Sequence, residues 1–171
     1  MDTLTAIHTR RSVRAFTPDP VSEEDIRTLL EAAMAAPSAV NAQAWAFLVI
    51  SDSALLAQVP SVNRYASMAV GAPLAILVCG DIAAEKYPGF WVQDCSAATQ
   101  NLLLAARAIG LGAVWTGIHP VEDRIAKASS LFRLPENLRP LSLVVLGHPR
   151  KEQKREERFA PEKVRRNFWQ E

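Results

Sequence analysis

Three arginines and a serine stand within five residues near the start of the chain: Arg10, Arg11, Ser12 and Arg14, in HTRRSVRAF (8–16). A guanidinium fork matches two phosphate oxygens and a hydroxyl adds a further hydrogen bond, so this set suits a phosphate. The same residues suit a solvated surface, or ion pairs with Asp and Glu, and the segment alone does not choose. Neighbours on an extended segment point to opposite faces, so one arginine is expected to face solvent, and Arg11 is the choice. A second polar stretch is PSAVNAQAW (37–45), with Pro37, Ser38, Asn41 and Gln43. Its two amides each offer donor and acceptor, and the small residues between them leave room for a planar ligand. A plain polar loop would read the same way. The third stretch, GLGAVWTG (110–117), holds Trp115, Thr116 and Gly117. It begins G-x-G, but Trp115 stands where a dinucleotide fingerprint needs glycine, and the glycines follow a helix instead of opening one. They suit a helix stop and a close backbone approach to something flat.

Other chemistries find little support. His8, His119 and His148 are far apart with no ligand spacing, so no metal site is expected. No Ser-His-Asp pattern stands out, and no side chain is assigned as a catalytic acid or base. Asp94 opens a long helical pattern and reads as a cap or a polar interface residue. Cys79 and Cys95 have no CxxC spacing, which suggests neither a disulfide scaffold nor a zinc site and points to a reducing compartment. A net charge of +1 gives no support for a nucleic-acid binder. Residues 1–20 show no apolar h-region, and the longest apolar stretch, MAVGAPLAILVCG, is short and broken by Gly and Pro. A cytoplasmic protein without a membrane partner is the expectation.

The elements that must position these residues follow from periodicity and punctuation. Residues 3–9 predict a short helix, and Pro18 and Pro20 break the chain after it. Ser22 is an N-cap before Glu23, Glu24 and Asp25, and Ile26, Leu29, Leu30, Ala33 and Met34 recur at helical spacing up to Pro37. Strands are expected at 45–51, 73–80, 112–118 and 140–149. Short helices are expected around Pro60 within 53–70. A long helix is predicted from Trp91 to Ile109 with Gly110 as its stop, and a further helix over 121–132. At 171 residues the chain fits one domain, 1–171, with 150–171 as a charged C-terminal arm. That arm ends in Phe168 and Trp169. It is either a frayed tail or a segment that docks on the body or on a partner subunit.

Taken together, RRSVRAF, LLEAAMAAPSAVNAQAW, DCSAATQNLLLAARAIGLGAVWTG, LPENLRPLSLVVLGHP and RFAPEKVRRNFW resemble the nitroreductase family of FMN-dependent oxidoreductases, in the family's order and over nearly the whole chain. The chain resembles the family's short branch. The resemblance implies an α+β fold, with a central, mostly antiparallel sheet flanked by helices. It implies an intertwined homodimer with FMN at the interface and the C-terminal extension on the partner. Residues matching Arg10, Arg11, Ser12 and Arg14 hold the FMN phosphate and ribityl end in the family, and an arginine matching Arg158 also reaches the phosphate. Pro37, Ser38, Asn41 and Gln43 match a loop that contacts the flavin. Trp115, Thr116 and Gly117 match a segment whose backbone lies against the ring near N5. Some relatives carry a lysine near the flavin N1–O2 edge, where this chain reads RYASM (64–68) with only Arg64 basic. Lys154 and Arg155 compete with Arg158 by register.

The implied chemistry is the cofactor's. NADH or NADPH delivers hydride to FMN and leaves, and a small electrophile such as a nitroaromatic or quinone takes its place. Two alternatives remain open at the level of sequence: a relative specialised for dehalogenation or flavin fragmentation, and a flavin-binding or storage protein without efficient turnover.

Overall fold

The computed structural model describes residues 1–151 and 155–169. Its core is a four-stranded sheet of β1 (Trp45–Ile50), β2 (Leu74–Asp81), β3 (Gly112–Gly117) and β4 (Leu138–Gly147), in the order β1-β2-β4-β3. Every strand pair is antiparallel. The helices are α1 (Thr3–Thr9), α2 (Glu23–Met34), α3 (Ser53–Leu56), α4 (Val59–Val62), α5 (Trp91–Ala108) and α6 (Glu122–Leu131). This is the expected α+β class, and element boundaries fall within about two residues of the periodicity.

Helices cover both faces of the sheet, which is why its central strands read as unbroken apolar runs. Leu74 and Ile76 of β2, with Val144 and Leu146 of β4, point toward α2 and α5, where they meet Leu29, Ala98 and Leu102. Their neighbours Ala75, Leu77, Leu143 and Val145 point the other way, onto Leu56, Val59 and Ile125 of α3, α4 and α6. Two-residue alternation thus splits one strand between two cores. Both cysteines lie inside this packing, and burial pushes each thiol up to about 12. They are inert structural residues, not nucleophiles.

Local signals explain the helix ends. The Ser22 hydroxyl accepts from the Asp25 backbone N–H at 3.0 Å, and three acidic residues fill the first turn of α2. At the end of α5, Gly110 takes φ +90°, and Leu111 N–H reaches back to the Ala106 carbonyl at 2.8 Å. One boundary moved. β4 was expected from Pro140 but starts at Leu138: the register steps from Val78–Ser142 to Cys79–Pro140, which leaves Leu141 of β4 as an extra residue beside the proline and lets the pairing continue past it.

The N-terminal arginine segment is held against the outer side of β3. Ser12 forms a parallel bridge with Ala113, and Val13 N–H donates to the Ala113 carbonyl at 3.0 Å. This close approach requires glycine at 112. A Cβ on Gly112 would stand 2.8–2.9 Å from Val13 Cγ1 and Cβ, and Cβ has no rotamer to escape by. Gly112→Ala is therefore expected to cost about 1–3 kcal/mol as an overpacking change, lowering the thermal midpoint by roughly 2–4 °C per kcal/mol. Gly71→Ala, where a new Cβ meets nothing within 4 Å, is the control, and its midpoint should stay near wild type.

Candidate functional site

The extended segment Arg10–Arg14 joins two clefts. The first, of about 330 Å³, is lined by Ile7, Arg10, Arg11, Glu156, Arg158 and Phe159 among others. Here the two ends of the chain meet. The Glu156 carboxylate sits between two guanidiniums: Arg158 Nη2 donates to Oε2 at 2.7 Å, and Arg11 Nε lies 3.5 Å from Oε1. Arg158 and then Arg11 hold the Glu156 carboxyl below its ordinary range. Arg10 is pushed below the usual arginine value by burial, then by the charges of Arg158 and Arg11. Three cations thus line one cleft, and two of them hold its carboxylate. Arg155 turns instead to Glu157 at 2.9 Å. Lys154, the other sequence candidate, lies outside the described residues.

The second cleft, of about 580 Å³, has Arg14, Asn63, Arg64, Trp115, Thr116 and Gly117 among its lining residues. Among the described residues no carboxylate lines it. The Thr116 hydroxyl donates to the Leu143 carbonyl at 2.7 Å, so that side chain serves the sheet and the strand offers the cleft its backbone. The Gly117 carbonyl is held by Asn63 Nδ2 at 3.1 Å and by Arg124 Nη1 at 2.9 Å. Asn63 in turn accepts from Tyr65 N–H through Oδ1. Arg64 donates to the Tyr65 hydroxyl at 2.8 Å.

The alternation of the arginine segment is opposite to expectation. The Arg11 side chain is only 16% exposed, while Ser12 and Arg14 are exposed. Val13 packs inward against Gly112, and Arg11, two residues back on the same face, turns inward with it. Ser12 lines neither cleft.

The loop of Pro37, Ser38, Asn41 and Gln43 also lines neither cleft. It is nonetheless built with care. Val40, Asn41 and Gln43 all take φ near +50°, which is rare for a β-branched residue such as Val40. Gln43 N–H donates to the Ser38 hydroxyl at 2.9 Å, and Gln43 Nε2 to Asn41 Oδ1 at 3.2 Å. Ala39 N–H donates to the buried Asp94 Oδ1 at 2.9 Å, which pins the loop to α5. Asp94 is a polar interface residue.

Among the described residues no group of His, Cys, Asp and Glu could hold a metal ion. None of the helices is long and apolar enough to cross a membrane.

Comparison with known proteins places this geometry. The family model described as "Nitroreductase family" matches residues 7–69 and 56–148. The chain belongs to the nitroreductase family. A relative from Methanothermobacter thermautotrophicus, which carries the provisional name NADH dehydrogenase/NAD(P)H nitroreductase, is 47% identical over 169 residues, covering 99% of this chain and 88% of that one. A crystal structure of a protein with the same provisional name, from Parabacteroides distasonis, superposes with a TM-score of 0.93 at 38% identity and 98% coverage of both chains. A provisionally named nitroreductase from Desulfovibrio desulfuricans, solved in complex with FMN, is 36% identical with a TM-score of 0.81, over 96% of this chain and 95% of that one.

Four residues of this nitroreductase-family chain were not read from sequence: Asn63, Tyr65, Arg124 and Glu156. Asn63 looks like any N-cap and Arg124 like any helix-surface charge, so only their common partner, the Gly117 carbonyl, singles them out. Glu156 is one charge in a run of charges. Its lowered pKa means that the carboxylate is lost as pH falls through that lowered value, and with it the ionic contacts to Arg158 and Arg11. Because Glu156 is exposed, those contacts add little stability. Glu156→Gln should therefore leave the thermal midpoint unchanged, yet tighten binding of inorganic phosphate at the freed arginines by roughly two- to tenfold, as read by calorimetry.

Proposed function

We propose that this protein is an FMN-dependent oxidoreductase that passes hydride from NADH or NADPH to a small electrophilic acceptor such as a nitroaromatic or quinone, by a ping-pong sequence. The observation that carries the reading is the meeting of Arg11 and Arg158 on one carboxylate, in a cleft that Arg10 also lines. A cluster that holds Glu156 in this way fits the doubly charged terminal phosphate of FMN.

FMN, when bound, supplies the hydride-accepting and hydride-donating atom, N5. The protein's residues bind and orient. Arg10, Arg11 and Arg158 hold the phosphate end, with the Ser12 hydroxyl available at the same segment. The extended backbone from Arg10 to Arg14 spans at most about 14 Å and would flank the ribityl chain of a bound FMN. Arg14 stands at the ring end, where a cation stabilises negative charge. The backbone of Trp115, Thr116 and Gly117 faces the ring, fixed by Asn63 and Arg124 on the Gly117 carbonyl. No side chain here has to act as a catalytic acid or base.

Pro37, Ser38, Asn41 and Gln43 complete the site from a second copy of the chain. The shaped but cleft-free loop supports this assignment, and so does the arm: Phe159, Phe168 and Trp169 are 81%, 80% and 74% exposed and call for cover. The unit is a homodimer in which the arm, 150–171, lies on the partner. The reducing, cytoplasmic setting fits two free buried thiols.

The test is the visible spectrum of the purified protein, reconstituted with FMN, under anaerobic addition of NADH or NADPH. The yellow colour should bleach, and a nitroaromatic or quinone should restore it; absence of bleaching with both nucleotides removes the catalytic reading and leaves flavin binding alone. Arg10→Ala or Arg158→Ala should weaken FMN about tenfold to hundredfold, the worth of one charge-assisted hydrogen bond, and leave riboflavin nearly untouched. Arg14→Ala, at the ring end, should weaken FMN and riboflavin alike. Fluorescence titration separates the two patterns. Deleting residues from 159 onward should weaken the dimer in light scattering and release FMN together with it.

A further inference from the structure

The Arg64–Tyr65–Arg124 cluster has no part in the phosphate cleft. The Arg64 guanidinium carbon stands 4.9 Å from the centroid of the Tyr65 ring, and that of Arg124 stands 5.8 Å from the same centroid. The two cations therefore converge on one phenol. Cation–π attraction and the Arg64–Tyr65 hydroxyl hydrogen bond hold them there. No carboxylate of the described residues forms an ion pair with either arginine. Neighbouring acids are already engaged: Asp123 pairs with Lys127 at 2.7 Å and Glu122 with Arg139 at 3.3 Å. Tyr65 is 62% exposed and Arg64 is also exposed, so the cluster is not part of the core. Two like charges brought together without a counter-ion call for an anion from outside.

Position selects that anion. The cluster belongs to the wall of the 580 Å³ cleft beside Trp115 and Gly117 and also to that of an adjoining groove of about 390 Å³ between α4 and α6. A ligand on it has one end in the ring cleft and the rest in the groove. Each guanidinium can take one phosphate by its two parallel N–H groups, so a pair of arginines fits a diphosphate.

We propose that Arg64 and Arg124, held about Tyr65, form the subsite for the diphosphate bridge of the pyridine dinucleotide, and so decide how well the reductant binds. The assignment rests on the oxidoreductase reading above. It names the part of the reductant that the flavin does not touch.

The experiment compares reductants that differ only outside the reacting ring. NADH and NADPH carry the diphosphate; 1-benzyl-1,4-dihydronicotinamide carries none. In anaerobic stopped-flow on the FMN-loaded protein, Arg64→Glu should lower the second-order rate of flavin bleaching by either dinucleotide at least about tenfold, the worth of one charge-assisted hydrogen bond. The rate with the benzyl compound should change by less than about twofold. Arg64→Lys, which keeps the charge, should recover part of the loss. Calorimetry with ADP-ribose on the same proteins, with and without FMN, should show the same order of affinities: wild type, then Lys, then Glu.

Equal losses with dinucleotide and benzyl compound would overturn the assignment, because the defect would then lie in the flavin site or the fold. So would dinucleotide rates unchanged in Arg64→Glu, or wild-type protein that does not bind ADP-ribose. Failure of the oxidoreductase reading looks different. If neither reductant bleaches the wild type while ADP-ribose binding still depends on Arg64, the diphosphate subsite stands and the redox reading falls.

Discussion

The backbone pairing of residues 12–13 with Ala113 is the contact on which the candidate site depends. It is a single parallel bridge with one N–H to carbonyl bond, made possible by the missing side chain of Gly112. Its effect is out of proportion to its size. By docking an extended segment along β3, it sends Arg11 inward toward the C-terminal arm and leaves Arg14 at the cleft beside Trp115. One strand of chain thus reaches both clefts. A helix in the same place would have turned the arginines round its axis and gathered them on no single line.

Gathering cations has a cost, and the two basic clusters meet it differently. At the chain ends, a carboxylate from the same arm stands between Arg11 and Arg158, so those two charges have a partner before any ligand arrives. At Tyr65 the partner is an aromatic ring, whose face offers attraction but no negative charge. The first arrangement is partly compensated and the second has no acidic partner among the described residues. On the proposed reading this difference matches the ligands. FMN would remain through every turnover and displace Glu156 once, whereas the reductant must arrive and leave each time and would meet two arginines whose neighbouring acid, Asp123, is paired with Lys127.

Much of the fold was legible because the sequence states it twice. The Ser22 cap, the acidic first turn and the 3–4 spacing of Ile26, Leu29, Leu30 and Ala33 all say the same thing about α2, and Gly110 ends α5 by the left-handed backbone that glycine permits. β4 began two residues early because the extra residue beside Pro140, Leu141, shows itself only in the pairing with β2, which no local pattern announces. The site was legible in its residue types and less so in its facing. The sequence shows that Arg10, Arg11 and Arg14 are close, but not that Val13 must point into Gly112, which is what turns Arg11 inward. Arg124 and Asn63 were invisible for the same reason: their meaning is a shared carbonyl at Gly117, a contact across 54 residues for one of them.

The loop at residues 38–43 completes the argument about assembly. Its backbone holds three non-glycine residues at positive φ, an arrangement that persists only where surrounding contacts impose it. Those contacts are present within the chain, in the Asp94–Ala39 bond and the Ser38–Gln43 bond. The loop's own amides, however, bond chiefly to each other at the surface and face neither cleft. Shape has been specified there outside both clefts. A two-fold pair resolves this, because an isologous interface returns each loop to the other copy's cleft. On the proposed reading the dimer is then a requirement of the site, not an addition to it: one chain would supply the arginines and the β3 backbone, the other would supply the amides, and neither alone would enclose the flavin.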